Sequence, residues 1–245
     1  ICQHLDQYAN VRPSRLLPGI QSPLKNIGPA ELDWVIVREN TEGEYSGAGG
    51  RVHPKLPQEV GIDVSVFTRD GIERVMRYAF KLALTRPKKQ LTLVTKSNAQ
   101  RHGMVLWDEV FEKLKHDYPG ITTDRMLVDA ITTRMVLQPQ SLDTIVATNL
   151  HADILSDLAA ALSGSLGIGP TANINPERMF PSMFEPIHGS AFDLVGKDLA
   201  NPLGAFWSCV MMLEHLQEKK GASLLMSAIE EVCQEGRHLP KDLGG

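Results

Sequence analysis

Thr144-Ile145-Val146-Ala147-Thr148-Asn149-Leu150-His151-Ala152-Asp153-Ile154-Leu155-Ser156-Asp157 is the stretch whose reading decides the fold. Its first five residues form a short apolar run that reads as a buried strand, and the rest opens an apolar segment with helical spacing. Asp153 and Asp157 are four apart, so on a helix they stand one above the other on the same face. Two like charges there repel unless a cation or a strong donor sits between them. A strand that delivers a carboxylate pair into a crevice is a setting in which α/β proteins hold Mg²⁺ or Mn²⁺ with substrate oxygens. The same acids could instead simply complement a helix dipole.

The pattern of strand, charged or polar residue and helix recurs outward from this point. Trp34 to Val37 is a short strand ending in Arg38, and Leu91 to Thr95 is a strand leading to Lys96. Arg125 to Val128 is a strand with Asp129 at its end, followed by a short helix from Ile131 to Leu137. Val60, Ile62, Val64 and Val66 alternate strictly, which predicts a half-buried strand. Asp70 is placed to cap a helix with Ile72, Val75, Met76, Ala79, Phe80 and Ala83 on its apolar face. Val105 to Leu114 traces another helix. The chain begins in what reads as an amphipathic helix and continues through Pro13, Pro18 and Gly19 as an extended connection. Tyr45 to Gly50 reads as a loop. A loop-heavy stretch from Gly164 to Asn201 precedes helices over 202–216 and 222–234. This alternation argues an α/β class, with a candidate boundary between Gly164 and Pro170.

The 245 residues carry 25 Lys and Arg against 29 Asp and Glu, a net charge of −4. That balance argues against a nucleic-acid or anionic-membrane surface. Cys2, Cys209 and Cys233 lie far apart with no C-x-x-C, which fits a reducing, cytoplasmic setting and no structural zinc site. No apolar run reaches the ~18 residues that would span a bilayer, and no signal-peptide progression opens the chain.

Arg38, Lys96, Asp129, Asp153 and Asp157 all lie at or just past strand ends, where ligands gather in α/β folds. Together with Tyr45 they would suit a small polyanionic acid held by arginines and a divalent metal, with a lysine as plausible proton carrier. In Glu185-Pro186-Ile187-His188-Gly189-Ser190-Ala191-Phe192-Asp193, small residues beside an acid suit a loop that lets backbone approach a nucleotide. A tight turn capped by Asp193 fits the same composition.

Arg38-Glu39-Asn40-Thr41-Glu42-Gly43-Glu44-Tyr45, Asn149 to Asp157, and Glu185 to Asp193 with Gly196-Lys197 and Ala200-Asn201-Pro202 resemble the β-decarboxylating dehydrogenases, the isocitrate/isopropylmalate dehydrogenase family. Thr95 to Met104 and the Gly-Ser-Ala-Phe-Asp loop are most similar to its tartrate/D-malate branch. The resemblance implies an isopropylmalate-dehydrogenase-like two-domain sheet architecture. Residues 8–160 would form a middle domain carrying substrate, metal and dimer contacts, and 161–245 with 1–7 would form the remaining part of the cofactor domain. It implies NAD- and Mg²⁺- or Mn²⁺-dependent oxidation and β-decarboxylation of a 2-hydroxy diacid by a homodimer with shared active sites.

Residue by residue, the resemblance gives Arg12 and Arg38 the substrate carboxylates. Asp153 and Asp157 take the metal, with Asp129 reaching across from the partner subunit. Lys96, also from the partner, becomes general base and Tyr45 the acid that protonates the enolate. His188, Gly189, Ser190, Ala191, Asp193 and Asn201 hold the dinucleotide, and an acid at 193 favours NAD by repelling a 2′-phosphate. Relatives often carry a second substrate-binding Arg where this chain has Cys2. The family's first strands would precede Ile1 and its C-terminus would run past Gly245, so the chain is expected to be partial, and poorly soluble or inactive alone. A non-catalytic regulatory or structural subunit is the alternative; the retained Tyr45, Lys96 and three aspartates argue against it.

Overall fold

The computed structural model describes residues 1–245. Four strands lie side by side in parallel: β2 (Asp33–Glu39), β5 (Gln90–Thr95), β6 (Thr122–Leu127) and β7 (Thr144–Ala147). Three more continue the sheet antiparallel: β1 (Ala9–Arg15), β8 (Pro170–Ile174) and β9 (Met183–Pro186). The order across the sheet is β6-β5-β7-β2-β1-β8-β9. The remaining pair, β3 (Gly43–Val52) and β4 (Val60–Val66), forms a separate hairpin.

Helices cover both faces of the large sheet, which makes this a mixed α/β fold. On one face α3 (Val128–Leu137), α4 (Asn149–Leu162), α5 (Leu203–His215) and α6 (Lys219–Glu235) share a core with Trp34, Ile36 and Ile145. On the other, α1 (Arg69–Thr85) and α2 (Gly103–Leu114) pack on Val35, Val37, Leu91 and Val146. Central strands therefore bury both faces, which is why they read as continuous apolar runs. Residues on both sides of position 160 contribute to the sheet and to the α3–α6 core.

Several local expectations are corrected. The N-terminus is a single turn, closed by Leu5 N–H to Ile1 O at 3.0 Å, and not an amphipathic helix. The segment around Pro13 is strand β1. Pro13 pairs opposite Val35, whose N–H is directed away to Asp143 O at 2.9 Å. The missing proline donor thus faces the β8 side, where the ladder has already ended at Val11, and the strand tolerates it. Tyr45 to Gly50 belongs to β3, with a register shift between Gly43 and Ala48. A Cβ at Gly49 would sit 2.2 Å from Ile62 O, so glycine marks close strand approach there, where it had suggested a loop.

Strand β4 exists as its alternation predicts, but Val60, Ile62, Val64 and Val66 stand 38–50% exposed. The hairpin stands clear of the main core, so its apolar face has nothing in this chain to bury against. Thr68, not Asp70, caps α1, its hydroxyl accepting from Gly71 N–H at 3.0 Å. Asp129 lies in the first turn of α3, past the end of β6. The stretch 164–201 holds β8 and β9, whose short Thr-Ala-Asn-Ile and Met-Phe-Glu-Pro sequences carry no clear period.

Candidate active site

Because β2 and β7 run parallel, the carboxyl end of β2 lies beside the turn where β7 becomes α4. Thr148 caps α4, accepting from His151 N–H at 3.3 Å, a cap worth about 1 kcal/mol to a helix. Glu44 adds to it by accepting from the Thr148 hydroxyl at 3.0 Å and Leu150 N–H at 3.2 Å. These contacts fix the first turns of α4 and aim Asp153 at the sheet.

Three of the expected residues meet at Asp153. Strand β1 runs antiparallel to β2 with Asn10 opposite Arg38 and Arg12 opposite Ile36, so Asn10, Arg12 and Arg38 share the α4 face. Arg38 pairs directly with Asp153 Oδ1, and Arg12 Nη1 approaches the same oxygen at 3.3 Å. Tyr45 donates its hydroxyl to Asp153 Oδ2 at 3.0 Å, and the Arg38 guanidinium lies 5.3 Å from the Tyr45 ring centre. Both guanidinium groups are buried, whereas Asp153 is partly open to solvent.

Burial works against charge on Asp153, but Arg38, Arg12 and the Tyr45 hydroxyl outweigh it and hold its pKa below the ordinary value. One turn on, Asp157 has no ion-pair or hydrogen-bond partner. Its pKa is raised, first by burial and then by Asp153, against the smaller pull of the two arginines. Burial, with the neighbouring Arg38, lowers the pKa of Arg12. Tyr45 is raised by burial and by its bond to Asp153, which favours the protonated phenol. A carboxylate pair with one member uncompensated is an acidic hard-oxygen set of the type that takes Mg²⁺ or Mn²⁺, so these residues fit a divalent ion.

Lys96 and Asp129 form a second group, joined at 2.5 Å across the ends of β5 and β6 and exposed on the Asp129 side. This pairing holds Asp129 below its usual pKa. Within one chain no three His, Cys, Asp or Glu side chains gather as a metal-holding cluster, so Asp129 does not join Asp153 and Asp157 there. Cys2 places its sulfur 3.8 Å from Asn173 Oδ1.

His188, Ser190, Ala191 and Asn201 line a cavity of about 880 Å³ with the Ser165–Gly167 turn and Asp242, within the size range of ligand pockets. A Cβ at Gly167 would press on Asp242 Oδ2 at 2.7 Å and Asn201 Cβ at 2.9 Å, so the cradle depends on that glycine. Ala191 takes a left-handed backbone at φ +41°. The cavity and its small-residue rim fit a nucleotide. Gly189 and Asp193 lie on the same loop but outside the cavity lining.

Sequence reading missed Asn10, Glu44, Asn149, Ser156, Asn173 and Asp242. Asn149 accepts from Arg38 Nε at 2.8 Å, and Ser156 accepts from Arg12 Nη1 at 2.6 Å. Asn10 stands two residues before Arg12, so reading β1 as a strand would have put both on one face. Asn173 and Asp242 had no such local signal.

The sequence profile of isocitrate/isopropylmalate dehydrogenase matches residues 1–245. The chain belongs to the isocitrate/isopropylmalate dehydrogenase family. A probable tartrate dehydrogenase/decarboxylase of Agrobacterium vitis is 67% identical over 245 residues, which is 100% of this chain and 68% of that protein. The decarboxylating D-malate dehydrogenase of Escherichia coli strain K12 is 48% identical over 97% of this chain and 67% of its own. The crystal structure of isocitrate dehydrogenase from Methylococcus capsulatus superposes with a TM-score of 0.91 at 40% identity, covering 99% of this chain and 69% of that one. The chain thus spans about two thirds of the length of these family members. No helix is long and apolar enough to cross a membrane.

Proposed function

We propose that the protein oxidises and decarboxylates a 2-hydroxy diacid of tartrate or D-malate type, using NAD and Mg²⁺ or Mn²⁺, as a homodimer with shared sites. The convergence of Arg12, Arg38 and Tyr45 on Asp153, one turn from the unpartnered Asp157, carries this reading. The tartrate and D-malate names of the two relatives support the substrate class.

Two buried guanidinium forks select and orient a dicarboxylate, because each matches a carboxylate with paired donors. Asp153 and Asp157, completed by Asp129 of the partner subunit, would hold the divalent ion. When bound, the ion supplies Lewis-acid stabilisation of developing oxyanion charge and NAD supplies the hydride acceptor. Lys96 of the partner subunit takes the substrate's hydroxyl proton as hydride leaves C2, and C3 then loses CO₂. Tyr45, kept protonated by burial and by Asp153, delivers its proton to the C3 carbon of the resulting enolate. His188, Ser190, Ala191 and Asn201 would bind the dinucleotide, with Gly189 and Asp193 acting from the loop's outer side.

The exposed apolar face of β4 supports the dimer, since a second copy would cover it. The two-part division near residue 160 belongs to the same reading. Appearance of reduced nicotinamide on mixing the purified protein, expressed at its full encoded length, with Mn²⁺, NAD and D-malate or tartrate tests the proposal. No change with any 2-hydroxy diacid would overturn it.

A further inference from the structure

A line of side chains, buried up to its exposed last member Glu185, leads away from Arg12 on the same face of the sheet. Arg12 Nε donates to Asn10 Oδ1 at 2.9 Å, Asn10 Nδ2 donates to Asn173 Oδ1 at 2.7 Å, and Asn173 Nδ2 donates to Glu185 Oε1 at 3.0 Å. The line crosses from β1 through β8 to β9, and Asn10 pairs directly with Asn173 in the ladder. Glu185 is three residues before His188, where the dinucleotide loop begins. Asn40, at the end of β2, donates to the same Asn173 oxygen at 3.0 Å.

The direction of this chain is fixed by its ends. A guanidinium can only donate and a carboxylate can only accept, whereas each amide between them does both. With Arg12 on its oxygen, Asn10 must turn its NH₂ to Asn173, and Asn173 must turn its own NH₂ to Glu185. Reversing one amide sets two like groups face to face and forces the other to reverse, leaving Asn173 oxygen against Glu185 oxygen. Asn10 and Asn173 are each 2% exposed, so water cannot repair a mismatch between the two amides. Reversal would also set the Asn40 donor against the Asn173 donor, so the pair has one satisfied arrangement, and that arrangement ties down Glu185.

We propose that Asn173 is a positioning residue that couples the two halves of the site, so that a dicarboxylate seated on Arg12 and a dinucleotide seated against the His188–Asn201 loops strengthen each other's binding. The 3.3 Å contact of Arg12 with Asp153 can be exchanged for an incoming carboxylate. A guanidinium pinned by that anion keeps Nε on Asn10 and so keeps the donor of Asn173 on Glu185. By linkage, a bound dinucleotide that steadies the loop must favour the same arrangement and the same Arg12 position. The inference rests on the proposed diacid and NAD sites but assigns a role that neither needs in order to bind alone.

The experiment measures NADH dissociation constants by nicotinamide fluorescence, with and without saturating tartrate and Mn²⁺. In the wild-type protein, tartrate tightens NADH by at least about fivefold, the lower end of ordinary coupling. Asn173→Asp keeps the oxygen that Asn10 and Asn40 use but turns a second carboxylate oxygen on Glu185. It brings the tightening down to about onefold while each ligand alone binds within about threefold of wild type. Glu185→Leu, made at an exposed position where folding is not at stake, gives the same loss. Combining Asn173→Asp with Glu185→Gln restores a donor–acceptor pair and the tightening. Retained coupling in either single variant, or none in a wild-type protein that binds both ligands, overturns the role of Asn173. A wild-type protein that binds neither ligand overturns the functional reading instead.

Discussion

Replacing Asp157 with asparagine separates a carboxylate kept for stability from one kept for a ligand. Asp157 faces Asp153 one turn away, and like charges at that spacing cost a helix about 0.2–0.5 kcal/mol. Its raised pKa gives the sign: the folded protein prefers this carboxyl protonated, so that contribution is present at low pH and lost as pH rises through the raised pKa. At neutral pH a neutral side chain should therefore help. For a chain of this size each kcal/mol moves the melting temperature by about 2–4 °C, so Asp157→Asn should melt about 0.5–2 °C higher without metal. The same change should remove the response to Mn²⁺. A site occupied at a hundred times its dissociation constant stabilises the wild-type protein by about 2.7 kcal/mol, or ~5–11 °C, and the variant should lose nearly all of it together with turnover. Asp153→Asn makes the control. It strands two buried guanidinium groups, so it should lower the melting point even without metal. Differential scanning fluorimetry with chelator or Mn²⁺ reads all three proteins. A variant at 157 that melts lower in chelator yet keeps the full Mn²⁺ shift would sink the assignment.

Tyr45→Phe should leave diacid and NADH binding within about threefold, since the ring still covers Arg38, but cut turnover by about 10²–10⁴; equal turnover in a steady-state assay removes Tyr45 as proton donor. Ile62→Lys puts a charge on the uncovered face of β4 and should shift the protein from dimer to monomer in analytical ultracentrifugation without lowering helix content. A dimer that persists unchanged shows that the hairpin is not the contact. Asp193→Ser removes the charge expected to repel a 2′-phosphate and should narrow the preference for NAD over NADP by about tenfold. An unaltered ratio of kcat/KM values would place that selection elsewhere. Light elastase treatment, which cuts after small residues, should first nick the Gly164–Gly169 turn if the chain divides near residue 160, and mass spectrometry of the fragments decides.

By itself the sequence determined the class of fold and which charged residues stand at or just past its strand ends. Trp34-Val35-Ile36-Val37, Leu91 to Thr95 and Thr144 to Ala147 are apolar on both faces because helices cover both sides of the sheet, and that signal is local. The carboxylate pair at 153 and 157 followed from helical spacing alone. Other features depended on partners far away in the chain. Strand β1 was hidden by Pro13, which is harmless only because the β8 ladder stops two residues earlier. Strand β3 was hidden by glycines that its neighbour requires. The alternation of β4 correctly announced a strand and misled about burial, since a period of two shows which residues share a face and not what covers it. Only the tertiary structure decided that Arg12, Arg38 and Tyr45 meet at one carboxylate while Lys96 and Asp129 stand apart as a second group. It alone aligned Asn10, Asn173 and Glu185, from positions up to 175 residues apart, into one directed line. Hydrogen bonds between strands answer to register, and register is set by how the whole sheet assembles.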